Sequence, residues 1–167
     1  MGTELFSTLA READASSAST RDEIHETFFR TSQARRRGHS SSSGASENDA
    51  QKENRNALDS RAAPVARAVL IDMEPKVVQS SLRRAKKSGR WRYDSARTLA
   101  FQSGSGNNWA RGYNTYGAQT RETALELARR ETEACDHMGG FLLMQSMAGG
   151  TGAGLGAYLA QALRDEY

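Results

Sequence analysis

Phe141-Leu142-Leu143-Met144-Gln145-Ser146-Met147-Ala148-Gly149-Gly150-Thr151-Gly152-Ala153-Gly154-Leu155-Gly156 holds three kinds of local instruction in one run. Phe141 to Met144 has the character of a short strand buried on both faces. Gly149 to Gly154 then places four glycines in six residues. Beyond them Leu155, Tyr158, Leu159, Ala162 and Leu163 fall at i, i+3, i+4, i+7 and i+8, the spacing of an amphipathic helix. A glycine loop between a strand and a helix lets backbone N–H groups close on an anion. The helix amino terminus adds partial positive charge and unpaired donors. Thr151 offers a hydroxyl. The competing reading is a tight turn that needs glycine only for packing, but the density of glycine at this junction favours a phosphate cradle.

The identity of the phosphate ligand needs more. The P-loop pattern is absent, since no Gly-Lys-Ser/Thr follows. Gly152-Ala153-Gly154-Leu155-Gly156-Ala157 fits the dinucleotide pattern G-x-G-x-x-A, which is easily met by chance. A dinucleotide-dependent oxidoreductase is therefore the competing enzyme hypothesis.

Upstream, Thr120 reads as the cap of a long helix reaching about Asp136, with Ala124, Leu127, Ala128 and Cys135 as its apolar stripe. Glu126 and Arg130 form an i,i+4 pair on it. A second loop of small residues, Ser103 to Asn108, follows a short strand near Leu99 to Phe101. Gly104 and Gly106 permit unusual backbone angles there, and the Asn107 and Asn108 amides suit phosphate oxygens. Ala66 to Ile71 reads as another buried strand. It ends in Asp72-Met73-Glu74-Pro75, where Pro75 opens a helix that Gly89 stops. Asp72 and Glu74 could hold Mg²⁺, or could simply be acids at a helix start. Strands alternating with helices predict an α/β fold with a parallel sheet, and such sheets bind ligands beyond the carboxyl ends of their strands.

Nearer the amino terminus, Gly2 to Ala13 reads as a helix with Leu5, Phe6 and Leu9 on one face, followed by an apolar patch at Ile24, Phe28 and Phe29. Residues 30–62 form a polar tract with Ser40 to Ser43 and Arg35-Arg36-Arg37. Almost without large apolar side chains, it is expected to be a disordered loop. The charges, 23 basic against 20 acidic, argue against sequence-independent nucleic-acid binding. The single cysteine, Cys135, reads as a helix residue and cannot form an internal disulfide. No apolar run approaches the roughly 18 residues of a membrane span. His25, His39 and His137 lack metal-ligand spacing, and Trp91 and Trp109 read as packing residues.

Together the loops resemble one family. Ala148 to Gly154 matches the signature of the tubulins, a small residue followed by G-G-T-G-[SA]-G. Gly106-Asn107-Asn108-Trp109-Ala110 is similar to the family's third nucleotide loop, and Val69 to Pro75 to its second. The delta branch fits best, through Ala66 to Val77, Gly104 to Ala110 and Ser146 to Gly152. The resemblance implies a Rossmann-like nucleotide-binding domain over residues 63–167, with residues 1–29 as a remnant of the first helix and the segment after it. It implies truncation at both ends, without the family's first phosphate loop, its base-binding elements and the segment that assists hydrolysis in a neighbouring subunit. It also implies GTP and Mg²⁺. Ser146, Gly150, Thr151 and Gly152 would bind phosphates, with Gly149 and Gly154 shaping the turn. Gly106 and Asn107 would face the terminal phosphate, and Glu74 with Asp72 the metal. No catalytic residue is assigned, and weak GTP hydrolysis is expected, with unpaired sheet edges prone to aggregation. Other tubulin subunits or centriolar proteins are the implied partners. The cytoplasm, cytoskeleton, centriole or basal body and cilium are the implied locations. A non-enzymatic interaction fragment or a partial gene product is the alternative.

Overall fold

The computed structural model describes residues 1–30 and 63–167. Along the chain these form α1 (Gly2–Ala15), α2 (Ala18–Phe28), β1 (Phe29–Arg30), β2 (Val65–Ala66), β3 (Leu70–Asp72), α3 (Pro75–Ser88), β4 (Thr98–Ala100), α4 (Ala118–Thr132) and α5 (Gly156–Glu166). Seven-residue π-helical turns, Arg111–Gly117 and Gly149–Leu155, lead into α4 and α5. The chain divides into two compact units. One comprises Met1–Gly2, Ala68–Leu82 and Asp94–Tyr167; the other comprises Thr3–Arg67 and Arg83–Tyr93.

The first unit contains the parallel pair expected of an α/β chain. β3 and β4 run in register Leu70↔Thr98, Ile71↔Leu99 and Asp72↔Ala100. Because the strands are parallel, the acidic turn after β3 and the loop after β4 leave the sheet at the same end. Ile71 and Leu99 pack on a core of Met73, Tyr116, Ala124, Leu155 and Leu159. Pro75 does open α3, and Gly89, at φ +70°, ends it. The stripe on α4 is buried at Ala124, Leu127 and Ala128. Glu131 is also buried, where its carboxylate accepts from Arg97 Nε at 2.7 Å.

Three expectations in this unit are corrected. Thr120 does not cap α4. It is 1 % exposed and its hydroxyl donates inward to Tyr116 O at 2.7 Å, because the helical path already begins at Trp109. The cap is Asn108, whose Oδ1 accepts from Arg111 N at 3.0 Å. Cys135 lies beyond the end of α4, with its thiol on Glu131 O at 3.2 Å. Phe141 to Met144 is not a buried strand. The four side chains are 40, 69, 48 and 43 % exposed, and their backbone joins no ladder among the described residues. An apolar run becomes a buried strand only where a neighbouring strand takes its N–H and C=O groups.

In the second unit, the strand expected over Ala66 to Ile71 is divided. Val65–Ala66 pairs antiparallel with Phe29–Arg30, whereas Leu70 belongs to the parallel pair. Arg67 is still tied to the antiparallel pair, its N–H donating to Phe28 O and its Nε to Phe29 O, so the chain leaves that pair only after it. α1 buries Phe6, Ala10 and Ala13, an i, i+4, i+7 line in place of one through Leu5 and Leu9. Phe6 meets Trp91 at 5.4 Å between ring centroids, and Trp91 meets Tyr93 edge-on at 4.8 Å. The patch at Ile24 and Phe28 belongs to α2, whose cap, Ser17, accepts from Thr20 N. Arg30 sits in β1. The rest of the polar tract, including Arg35 to Arg37 and Ser40 to Ser43, lies outside the described residues.

Candidate phosphate-binding site

All the residues singled out for nucleotide or metal lie in the first unit. Two glycine-bearing loops meet there. After β4, Gly106 and Asn107 both take left-handed backbone angles, φ +63° and +53°. This turn is held by Asn108 N donating to Ser105 O at 3.2 Å, while Ser103 Oγ lies 2.9 Å from Tyr116 OH. The second loop enters its helix at Gly149, φ +88°. Ala148, extended, provides no side-chain cap for the π turn that follows. Among the described residues no capping side chain takes its first-turn N–H donors, the arrangement that suits an external acceptor. Upstream, Ser146 Oγ accepts from Ala148 N at 3.2 Å and braces the approach.

The loops interlock through their glycines. A Cβ at Gly150 would overlap the buried Ser105 side chain and stand 2.6 Å from Asn108 O. A Cβ at Gly149 would stand 3.1 Å from Asn107 Oδ1. Gly154 lies against Trp109 O, and Gly152 would set a Cβ 2.8 Å from Ser146 N and O. Ser105 Oγ and Thr151 Oγ1 join the two loops at 3.4 Å. These glycines are therefore required by loop-to-loop packing, as the tight-turn reading expected. The structure brings Ser105, Asn107, Gly149, Gly150 and Thr151 to one place.

Asp72 and Glu74 stand at the same end of the parallel pair as the first loop. Asp72 Oδ1 accepts from Glu74 N at 2.9 Å, which commits one carboxylate oxygen to the turn and leaves Glu74 exposed. Among the described residues no three His, Cys, Asp or Glu side chains gather as a metal cage. A pair of carboxylates completed by phosphate oxygens and water is the pattern that suits Mg²⁺.

Sequence reasoning missed two contributors, Ser105 and Gly112, and gave a third, Asn108, a different role. Ser105 read only as loop, because the Thr151 hydroxyl it meets is 46 residues away in the chain. Gly112 is pressed against Gly150 O and 3.1 Å from Leu155 N as its Cβ would lie; a glycine at the fourth position of a helical run was its signal. Asn108 is a helix cap, legible from its place three residues before Arg111. Trp91 is buried as expected, but Trp109 is 49 % exposed and stacks flat on Tyr113 at 4.8 Å.

A parallel strand pair, with a glycine-rich helix start packed on the loop that leaves its second strand, is an arrangement of the α/β class. The sequence matches the Tubulin/FtsZ family, GTPase domain, over residues 2–167, and the chain belongs to that family. Among curated proteins it is 50 % identical over 104 residues to the tubulin delta chain of Macaca fascicularis, a match covering 62 % of this chain and 23 % of that protein. It is 51 % identical over the same length to the tubulin delta chain of Mus musculus, with the same coverage. The tubulin beta-1 chain of Chondrus crispus is 44 % identical over 104 residues, 62 % of this chain and 22 % of the relative. The matched region thus spans less than a quarter of these relatives.

Proposed function

We propose that this chain supplies the phosphate-binding part of a delta-type tubulin that binds GTP with Mg²⁺. The seating of the Ser105 to Asn108 turn on the Gly149 to Gly154 loop carries the reading. In it, N–H groups of Gly149 to Gly152 and the Thr151 hydroxyl take phosphate oxygens. Ser146 supports the approach, and Gly154 keeps the helix close. Gly106 and Asn107 face the terminal phosphate, while Glu74, with Asp72 beside it, approaches the metal. The bound nucleotide would supply the charge that these donors neutralise. The partners in this reading are other tubulin subunits and centriolar proteins, and the location is the centriole or basal body and the cilium. The identity to tubulin delta chains supports the delta-type reading.

The test is displacement of a fluorescent guanine nucleotide in the presence of Mg²⁺. GTP should compete and NAD should not; displacement by NAD alone would replace this reading with the dinucleotide one. Thr151→Ala should weaken binding by about tenfold, the effect of losing one hydrogen bond to a charged group. Location is checked separately by imaging the tagged protein, where exclusion from centrioles and cilia would remove that part of the proposal.

A further inference from the structure

We infer that the second unit carries an anion-binding cleft that takes a carboxylate of an acidic peptide segment, apart from the nucleotide site. The cleft encloses about 250 Å³ and is lined by Ser7, Arg11, Ser88, Arg90 and Trp91. Ser7 and Arg11 are one helical turn apart on α1, so both side chains share a face. Ser88 and Arg90 come from the end of α3 and the turn after it. Trp91 is 1 % exposed, and its indole N–H has no acceptor among the described residues.

The surroundings are cationic. Arg83, Arg84, Lys86, Lys87, Arg90 and Arg92 place six positive charges in ten residues with no acid between them. Two of the six lean on carboxylates at long range, Arg84 on Glu4 at 3.9 Å and Arg90 on Asp14 at 3.7 Å. Those exposed contacts are weak and exchangeable. Arg83, Lys86 and Lys87 have no acidic partner among the described residues. Lys86 and Lys87 complement the carboxyl-terminal dipole of α3, but that ordinary role does not account for Arg83, Arg84, Arg90 or Arg92.

The size and texture select the ligand. Cofactor and small-molecule sites run from roughly 300 Å³ upward, and this cleft suits a single side chain. Two guanidinium groups favour a planar carboxylate. The one aromatic ring is buried, so it provides no face for stacking bases. No large exposed apolar residue accompanies the basic run to enter a lipid surface.

The experiment measures anisotropy of a fluorescein-labelled oligoglutamate peptide with the full chain, beside uridine-rich RNA and phosphatidylserine vesicles. The peptide should bind most tightly, and Arg11→Gln/Arg90→Gln should weaken it by about tenfold. Stronger binding of RNA or vesicles, no peptide binding, or an unchanged affinity in the double variant would each overturn the inference. Far-ultraviolet circular dichroism reports whether that variant keeps its fold. If it does not, Arg83→Gln/Lys86→Gln decides instead: a loss of about threefold or more is expected, and none would overturn it.

Discussion

At the scale of single residues, the site depends on what a glycine excludes. Gly112 and Gly89 separate two reasons for the residue. At Gly112 a Cβ would overlap Gly150 O, so Gly112→Ala must spread the two π turns. We expect a loss of about 1–3 kcal/mol, the usual cost of overpacking, read from the urea midpoint. At Gly89 nothing lies within 4 Å, and only the left-handed φ of +70° resists a side chain. Gly89→Ala should cost about 1 kcal/mol in the same assay. Gly150→Val would combine damage to packing and to the cradle, which makes Thr151→Ala the cleaner probe of phosphate binding. Thr151 keeps its backbone N–H in the substitution and loses only the hydroxyl that meets Ser105.

At the scale of elements, α4 carries a cluster in which Arg129 binds both Glu126 and Glu133 and Arg130 binds Glu126 at 2.7 Å. Hydrogen bonds from Arg129 first, then Arg130, hold the Glu126 carboxyl down at about 2 against an ordinary 4.5. A carboxylate depressed in the folded state stabilises above its ordinary value. That contribution should fade as pH falls from 4.5 toward 2. Acid titration of helicity should show this fade, and Glu126→Gln should flatten it. Because the side chains are substantially exposed, high salt should shrink the effect. The Phe141 to Met144 run is the other element with a clear consequence. Its exposed apolar side chains should promote self-association. Leu142→Lys, at the most exposed of the four positions, should raise the concentration at which light scattering begins.

At the scale of the molecule, the residues proposed for nucleotide and metal all belong to one unit, and the basic cleft belongs to the other. Guanine nucleotide with Mg²⁺ should slow amide hydrogen exchange most in residues 103–112 and 146–155. Protection that fell instead on residues 3–30 or 83–93 would contradict the placement of the phosphate site. In the second unit, burial raises the Tyr93 phenol above its ordinary value of 10, opposed in part by a hydrogen bond with Thr3. A neutral group so favoured in the folded state stabilises below that value and loses its contribution as pH rises through the folded one. Alkaline unfolding of this unit should therefore accompany tyrosinate formation, and Tyr93→Phe should delay it.

The sequence alone determined the glycine-rich helix entry, the proline that opens α3, the glycine that closes it and the apolar stripe of α4. Each of these rests on local backbone geometry or a short periodicity, which neighbouring residues dictate. The family was legible for the same reason, since its signature is one continuous loop. Tertiary structure decided what depends on a partner distant in the chain. Ser105 became a site residue because Thr151 and Gly150 came to it, and Thr120 turned inward because helix began eleven residues earlier, at Trp109. Phe141 to Met144 pairs with no strand among the described residues, although its composition is that of a buried strand. Apolar composition states a preference for burial, but only an adjacent strand can supply the hydrogen bonds that burial requires.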